Sequence, residues 1–371
     1  MPAALFTPVA LGGLTLSNRI TISPMCQYSA AEGSMTDWHV AHLSSLALSG
    51  ASLLVIEATG VEPAGRISPE DVGLYSDANE AAMKRVLDVI RSVSPIKVGV
   101  QLAHAGRKAA TYSPWKGAGS VPDVEGGWET FAPSAVAFQE GWRVPQAMTR
   151  AGMERVRDAF VAAARRAERL GIDCVELHFA HGYLMSTFLS PLSNRREDAY
   201  GGSLENRMRY PLEVAAAVRA AWPRERALTV RVNGSDFTEG GWTPEDAARL
   251  ATELRGIGID GVTVSGGGVD PRQQIQAGPG YQLPFAEHVR KVSGITTTAV
   301  GMILTPKQAE AIVAEGKADM VALARGVLFD PRWPYHAAEK LGSALAYPPQ
   351  YERANPRNWR GGGPLLTSFG E

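Results

Sequence analysis

With 371 residues, 45% of them hydrophobic and 20% charged, the chain is globular in composition and can bury the core of one large domain or two ordinary ones. A formal net charge of -1 gives no general attraction to nucleic acid or to an anionic membrane surface, so small molecules are the expected partners. Two cysteines, Cys26 and Cys174, exclude a disulfide framework and a cysteine-rich cluster site, and both are expected to be reduced.

In chain order, the opening Met-Pro-Ala-Ala-Leu-Phe lacks a charged n-region and an apolar core, and no later apolar run approaches the roughly 20 residues that span a bilayer. A cytoplasmic location is the expectation. Short apolar runs then alternate with amphipathic ones. Strands are predicted over 19–25, 52–59, 97–103, 174–179, 227–232, 261–266, 296–301 and 320–325, and helices over 37–48, 78–93, 153–170, 203–221, 244–255, 284–292, 306–315 and 331–341. Pro244, Pro306 and Pro331 follow Thr243, Thr305 and Asp330, which are good N-caps, and so mark first helical positions. Eight alternations, with strands too apolar to have a wet face, predict an α/β fold of the (β/α)8 TIM barrel kind. A doubly wound open sheet is the alternative. It usually carries a Gly-rich loop after its first strand, and here that position reads Ser23-Pro24-Met25-Cys26-Gln27-Tyr28.

Two segments break the repeat. Residues 107–148, rich in Gly and Pro and carrying Trp115, Trp128, Phe131, Phe138 and Trp142, follow the third strand; a lid or short hairpin over the catalytic face, or a packed structural insertion, is expected there. From Tyr347 onward, Pro348, Pro349 and the glycines at 361–363 read as an extended arm. The expected organisation is one barrel domain over 1–345 and a C-terminal arm and tail over 346–371.

In such a barrel the chemistry sits at the C-terminal ends of the strands. Strand four leads into His178-Phe179-Ala180-His181-Gly182-Tyr183, where Gly182 lets the chain bend. Imidazoles three apart in a tight turn or a first helical turn project to one side, with Tyr183 in reach of the same ligand. A carbonyl oxygen held by two such donors becomes electron-poor. Satisfied structural histidines and a metal site are the competing readings; no carboxylate-rich or Cys-rich partner motif accompanies the pair. The other ends offer Cys26 with Tyr28 beyond it, Glu57-Ala58-Thr59, Gln101 with His104 just after, Arg231, Ser265 before three glycines, Gly301, and Ala324-Arg325-Gly326. Arg231 beside Gln101, Cys26 and Ala58 suits a flat heterocycle with amide edges, unless Arg231 pairs with Glu57 or Glu176. Gly301 and Arg325, after strands seven and eight, suit a phosphate.

These residues resemble the Old Yellow Enzyme family of FMN-dependent ene-reductases. The resemblance is carried by 23–28, by Glu57-Ala58-Thr59 with Gly65-Arg66-Ile67, by Gln101-Leu102-Ala103-His104-Ala105-Gly106-Arg107-Lys108, by 178–183, and by Asp198-Ala199-Tyr200-Gly201-Gly202-Ser203-Leu204-Glu205-Asn206-Arg207. It runs in order from about Leu5 to Arg353, and is nearest the bacterial NADPH dehydrogenase and xenobiotic reductase type. It implies tightly but non-covalently bound FMN, held by Ser23, Pro24, Met25, Cys26, Ala58, Gln101, Arg231, Gly301, Ala324 and Arg325, with no metal. NADPH, or NADH, would be the reductant. Cys26 would tune the flavin and Tyr28 would reach the substrate; His178 and His181 would bind the oxygen of an enone, maleimide or nitro compound, and Tyr183 would donate the proton. Arg353, in Gln350-Tyr351-Glu352-Arg353, would enter a neighbouring subunit's site, implying a homodimer or homotetramer. The chain continues 18 residues beyond it. A 2,4-dienoyl-CoA reductase needs an iron–sulfur site held by several cysteines, which two cannot supply. A non-catalytic flavin or ligand carrier stays open, as does a metal-dependent barrel hydrolase, although the latter wants histidines at strand one and a carboxylate at strand eight, where Cys26 and Arg325 stand.

Overall fold

The computed structural model describes residues 2–363; the end of the predicted tail, 364–371, lies outside the described residues. Eight strands, Ile20–Ile22, Leu53–Gly60, Lys97–Ala103, Cys174–Phe179, Ala227–Asn233, Gly261–Ser265, Thr296–Ala299 and Met320–Leu323, close into a barrel in sequence order, every pairing parallel. Every residue of the second, fourth and fifth strands is buried. Helices cover one face and packed side chains fill the other, which is why these segments read as unbroken apolar runs.

Around the barrel lie the helices Asp37–Ala47, Asp77–Val93, Arg150–Arg169, Leu204–Ala221, Pro244–Ile257, Leu283–Ser293, Pro306–Ala314 and Trp333–Lys340. The hydroxyls of Ser76, Thr149, Ser203, Thr243 and Thr305 each accept a backbone N–H of the first turn, satisfying donors that a helix start leaves unpaired. Pro244 and Pro306 occupy the predicted first positions. Pro331 does not. The helix begins at Trp333, because the Asp330 carboxylate accepts from Arg332 N and closes a turn ahead of it.

Three further features differ from the sequence reading. The first strand stops at Ile22 rather than at residue 25: Ser23 N makes the last ladder bond, to Leu323 O at 2.8 Å, and Pro24 has no N–H to continue it. An antiparallel hairpin, Val9–Leu11 with Leu14–Leu16, precedes the barrel. Its Leu11, Leu14 and Leu16 pack with Leu53, Val55, Cys174, Ala227 and Met320, at or near strand starts, and so plug the N-terminal mouth. Third, the insertion 107–148 pairs Phe131–Ala132 with Gln146–Ala147 in parallel, besides an antiparallel bridge between Thr111 and Ser120 that closes a short reversal.

That insertion is held over the opposite mouth by the Arg107 guanidinium, which donates to Val136 O and Ala137 O, and by Trp128 Nε1, which donates to Ala64 O at 3.1 Å. The C-terminal segment instead lies along the strand starts. The Tyr347 ring sits 4.4 Å from that of Tyr335, and the 3-10 turn Pro349–Ala354 carries Tyr351 against the Arg332 guanidinium. A cavity of about 1000 Å³ there is lined by residues including Asn18, Ser52, Lys97 and Tyr347. Among the described residues no helix is long and apolar enough to cross a membrane.

Candidate active site

Strand four delivers His178 buried at its end, and the chain then reverses through two consecutive left-handed residues, His181 at φ 62° and Gly182 at φ 75°. A Cβ on Gly182 would stand 2.0 Å from Gly268 O, so this approach demands glycine. The turn packs three rings edge to face: His178 lies 5.0 Å from His181 and 4.9 Å from Tyr183 between centroids. Tyr183 then opens a short helix, Leu184–Leu189, that the sequence reading missed. Lys108 Nζ clamps the turn by donating to His181 O at 2.8 Å and to Gly268 O at 3.1 Å.

Both imidazoles are held neutral. Burial, and then the Arg231 guanidinium, push each well below the ordinary histidine range. His178 Nδ1 accepts from Ala180 N at 3.2 Å, so its one proton is on Nε2. His181 Nε2 shares a hydrogen bond with Ser265 Oγ at 2.8 Å, and Ser265 Oγ also accepts from Arg231 Nη2 (3.4 Å), which ties this ring to the Arg231 side of the site. Each neutral ring carries one N–H.

Burial raises the Tyr183 phenol well above its ordinary range. The Cys26 thiol is likewise pushed up, by burial and then by Asp71 and Glu57. Tyr28, at φ 48°, stands edge-on to Trp115 with centroids 5.7 Å apart, and burial raises its phenol too. All three are protonated at neutral pH.

Arg231 pairs with neither candidate carboxylate. Glu176 accepts from Gln101 Nε2 and from Thr263 Oγ1, both at 2.7 Å, and Glu57 accepts from Gln27 N at 3.0 Å. Among the described residues, Arg231 Nε and Ser23 Oγ are buried with no partner at all, and the carboxamide oxygen of Gln101 is left to accept. A buried cation beside an open donor and an open acceptor is the lining for a heterocycle with amide edges. A family model described as NADH:flavin oxidoreductase / NADH oxidase family matches residues 4–343. The chain belongs to this family, that of the Old Yellow Enzymes.

The family assignment makes the protein an oxidoreductase on a flavin-binding barrel. It is 42% identical over 362 residues to an NADPH dehydrogenase of Geobacillus sp. (strain WCH70), an alignment covering 97% of this chain and 100% of that one. Among solved structures, a 2-naphthoyl-CoA reductase complex superposes with a TM-score of 0.82 at 25% identity over 91% of this chain, which spans 52% of that longer one. Morphinone reductase superposes at 0.76 with 28% identity, over 94% of this chain and 93% of its own.

The unpartnered Arg231 Nε and Ser23 Oγ fit the polar edge of a flavin. Pro24, Met25 and Cys26 line the half-buried stretch after strand one, and Ala58 follows a bulge in strand two. Gly301 has φ 111°, and a Cβ there would meet Gln282 Oε1 at 2.6 Å. Ala324 and the exposed Arg325 start the short helix Arg325–Phe329 after strand eight. Two sequence candidates stay outside the cluster. His104 Nε2 bonds Glu62 Oε1 at 3.0 Å, and the exposed Arg155 donates to the other Glu62 oxygen. Arg353 is exposed in the Pro349–Ala354 turn. The reading gave no role to Lys108, to Asn233, whose Oδ1 accepts from His181 N at 3.1 Å, or to Asp71. Lys108 lay inside a quoted motif and could have been found; a lone Asn or Asp offers no such signal.

Proposed function

We propose that the protein is an NADPH-dependent ene-reductase acting on enones, maleimides or nitroalkenes, with nicotinamide and substrate taking the same place in turn. The observation that carries this reading is the pair of neutral, singly protonated imidazoles beside a protonated buried phenol. FMN held here would supply hydride transfer from NADPH to the substrate's β-carbon. Ser23, Gln101 and Arg231 would hold its ring, with the Arg231 guanidinium offsetting negative charge there, and Gly301, Ala324 and Arg325 its phosphate end. His178, through Nε2–H, and His181 donate to the substrate oxygen and draw electron density from the β-carbon. Neutral donors suit this role, because they stabilise the oxygen as charge develops without surrendering a proton to it. Tyr183 gives its proton to the α-carbon, whose enolate is basic enough to take it even from a phenol raised by burial. The Cys26 thiol stays protonated and supplies a weak hydrogen-bonding group next to the ring.

We also infer a homodimer or homotetramer in which Arg353 of one copy approaches the site of another. It is exposed, and among the described residues no ion pair engages it. The test of the central reading is the double variant His178→Ala/His181→Ala. It should retain FMN absorbance but bind phenols weakly and turn over 2-cyclohexenone at least about 100-fold more slowly, as expected from losing two hydrogen bonds to a developing charge. Wild-type turnover in that variant would remove the assigned role.

A further inference from the structure

Behind the segment that carries Cys26 and Tyr28 lies a buried ionisable pair that the reaction does not use. Strand two pairs Ile56 with Val100 and Ala58 with Gln101, so Glu57 is the extra residue of a bulge, a device that re-aims a side chain next to an active site. Glu57 is 2% exposed and His39 is fully buried. One Glu57 oxygen, Oε1, accepts from Gln27 N at 3.0 Å. The other, Oε2, has no hydrogen bond and faces His39 Nε2, equally unpartnered, at 3.6 Å.

His39 Nδ1 accepts from Thr36 N at 3.0 Å, which turns Nε2 toward the carboxylate. The carboxylate therefore has a single good hydrogen bond, the one from Gln27 N. Burying such a carboxylate is unfavourable. Its position is specific: Gln27 is also tied by its Nε2 to Met25 O at 2.9 Å and by its Oε1 to Trp38 Nε1 at 3.1 Å, and the next residue, Tyr28, holds a left-handed backbone.

We propose that Glu57, backed by His39, is a positioning residue that pins residues 26–28 through Gln27 N and sets its carboxylate beside the stretch that carries the Cys26 thiol. The other ionisable groups around that thiol are Asp71, Tyr28 and Tyr183. The first of these is itself a buried carboxyl, so Glu57 is one of two acids opposing thiolate formation. The flavin-tuning consequence rests on the FMN reading above; the thiol consequence does not.

The experiment is iodoacetamide labelling of Cys26 in the FMN-loaded protein between pH 7 and 10, followed by mass spectrometry and paired with the midpoint potential of the bound FMN. Glu57→Gln keeps an acceptor for Gln27 N and deletes the charge. It is expected to label faster, by about tenfold for each unit by which the thiol pKa falls, and to shift the midpoint potential to more positive values. Were Glu57 only a backbone anchor, Glu57→Gln would label like wild type while Glu57→Ala labelled faster, and that result overturns the proposal. If Glu57→Gln does not fold, His39→Phe serves: it removes the side chain facing the carboxylate and makes a charge there costlier to bury, so labelling again accelerates, and an unchanged profile contradicts the proposal. A protein that refuses FMN would sink the flavin reading and leave the labelling comparison intact.

Discussion

Asp71 shows how one buried carboxyl can be used to check the electrostatics of this site. Its oxygens accept from Ile67 N and Ser68 Oγ, both at 2.8 Å, yet burial pushes it up to about 7 from an ordinary value of 3.8. Between those values the folded protein holds a proton that the unfolded chain releases, so this group's contribution to stability falls as pH rises through the window. Asp71→Asn removes that slope. The stability of wild type relative to the variant should drop by up to about 4 kcal/mol between about pH 4 and pH 8, read from urea unfolding; a difference that stays flat would show that Asp71 is ionised throughout. At this scale the site was partly legible in the sequence. His178, His181 and Tyr183 announce themselves because three polar rings crowd one strand end. Their hydrogen-bond partners do not, because these are Ala180 N and Ser265, the latter 84 residues from His181.

Elements decide where those rings point. The reversal at His181 and Gly182 brings the phenol back to the imidazoles, and its closeness to Gly268 makes Gly182→Ala a backbone test. A Cβ at φ 75° combined with that contact should cost more than about 1 kcal/mol, and enone turnover should fall with it; a variant of wild-type melting temperature and rate would contradict the close approach. The N-terminal hairpin makes the complementary case. Leu16 is fully buried in the plug of the far mouth, so Leu16→Ala should cost about 3 kcal/mol in unfolding free energy while leaving the bound-flavin spectrum unchanged. The helix starts were legible because Ser, Thr and Pro act locally. The hairpin was overlooked because three-residue strands give periodicity little to count, although Leu-Gly-Gly-Leu between alternating residues was a turn signal. The parallel pairing of Phe131–Ala132 with Gln146–Ala147 is set by how the insertion packs on the barrel, which no local pattern encodes.

For the whole molecule, the alternation of apolar and amphipathic runs was sufficient to give the barrel, since eight buried parallel strands with helices between them have few other ways to close. Association is a separate matter. Sedimentation should show a dimer or tetramer, and Arg353→Ala should lower kcat/KM for 2-cyclohexenone by about tenfold or more, the loss of one charge-assisted bond, without loss of FMN; a fully active variant would remove Arg353 from the site. The account as a whole stands on the two imidazoles and the phenol meeting substrate at the flavin-bearing mouth. Its most direct test is anaerobic rapid mixing of the FMN-loaded protein, first with NADPH and then with 2-cyclohexenone, for wild type and Tyr183→Phe. The account predicts that NADPH bleaches the flavin band in both, and that the enone restores it rapidly in wild type and much more slowly in the variant. Equal recovery in the two proteins, or slowing confined to the NADPH step, would contradict it.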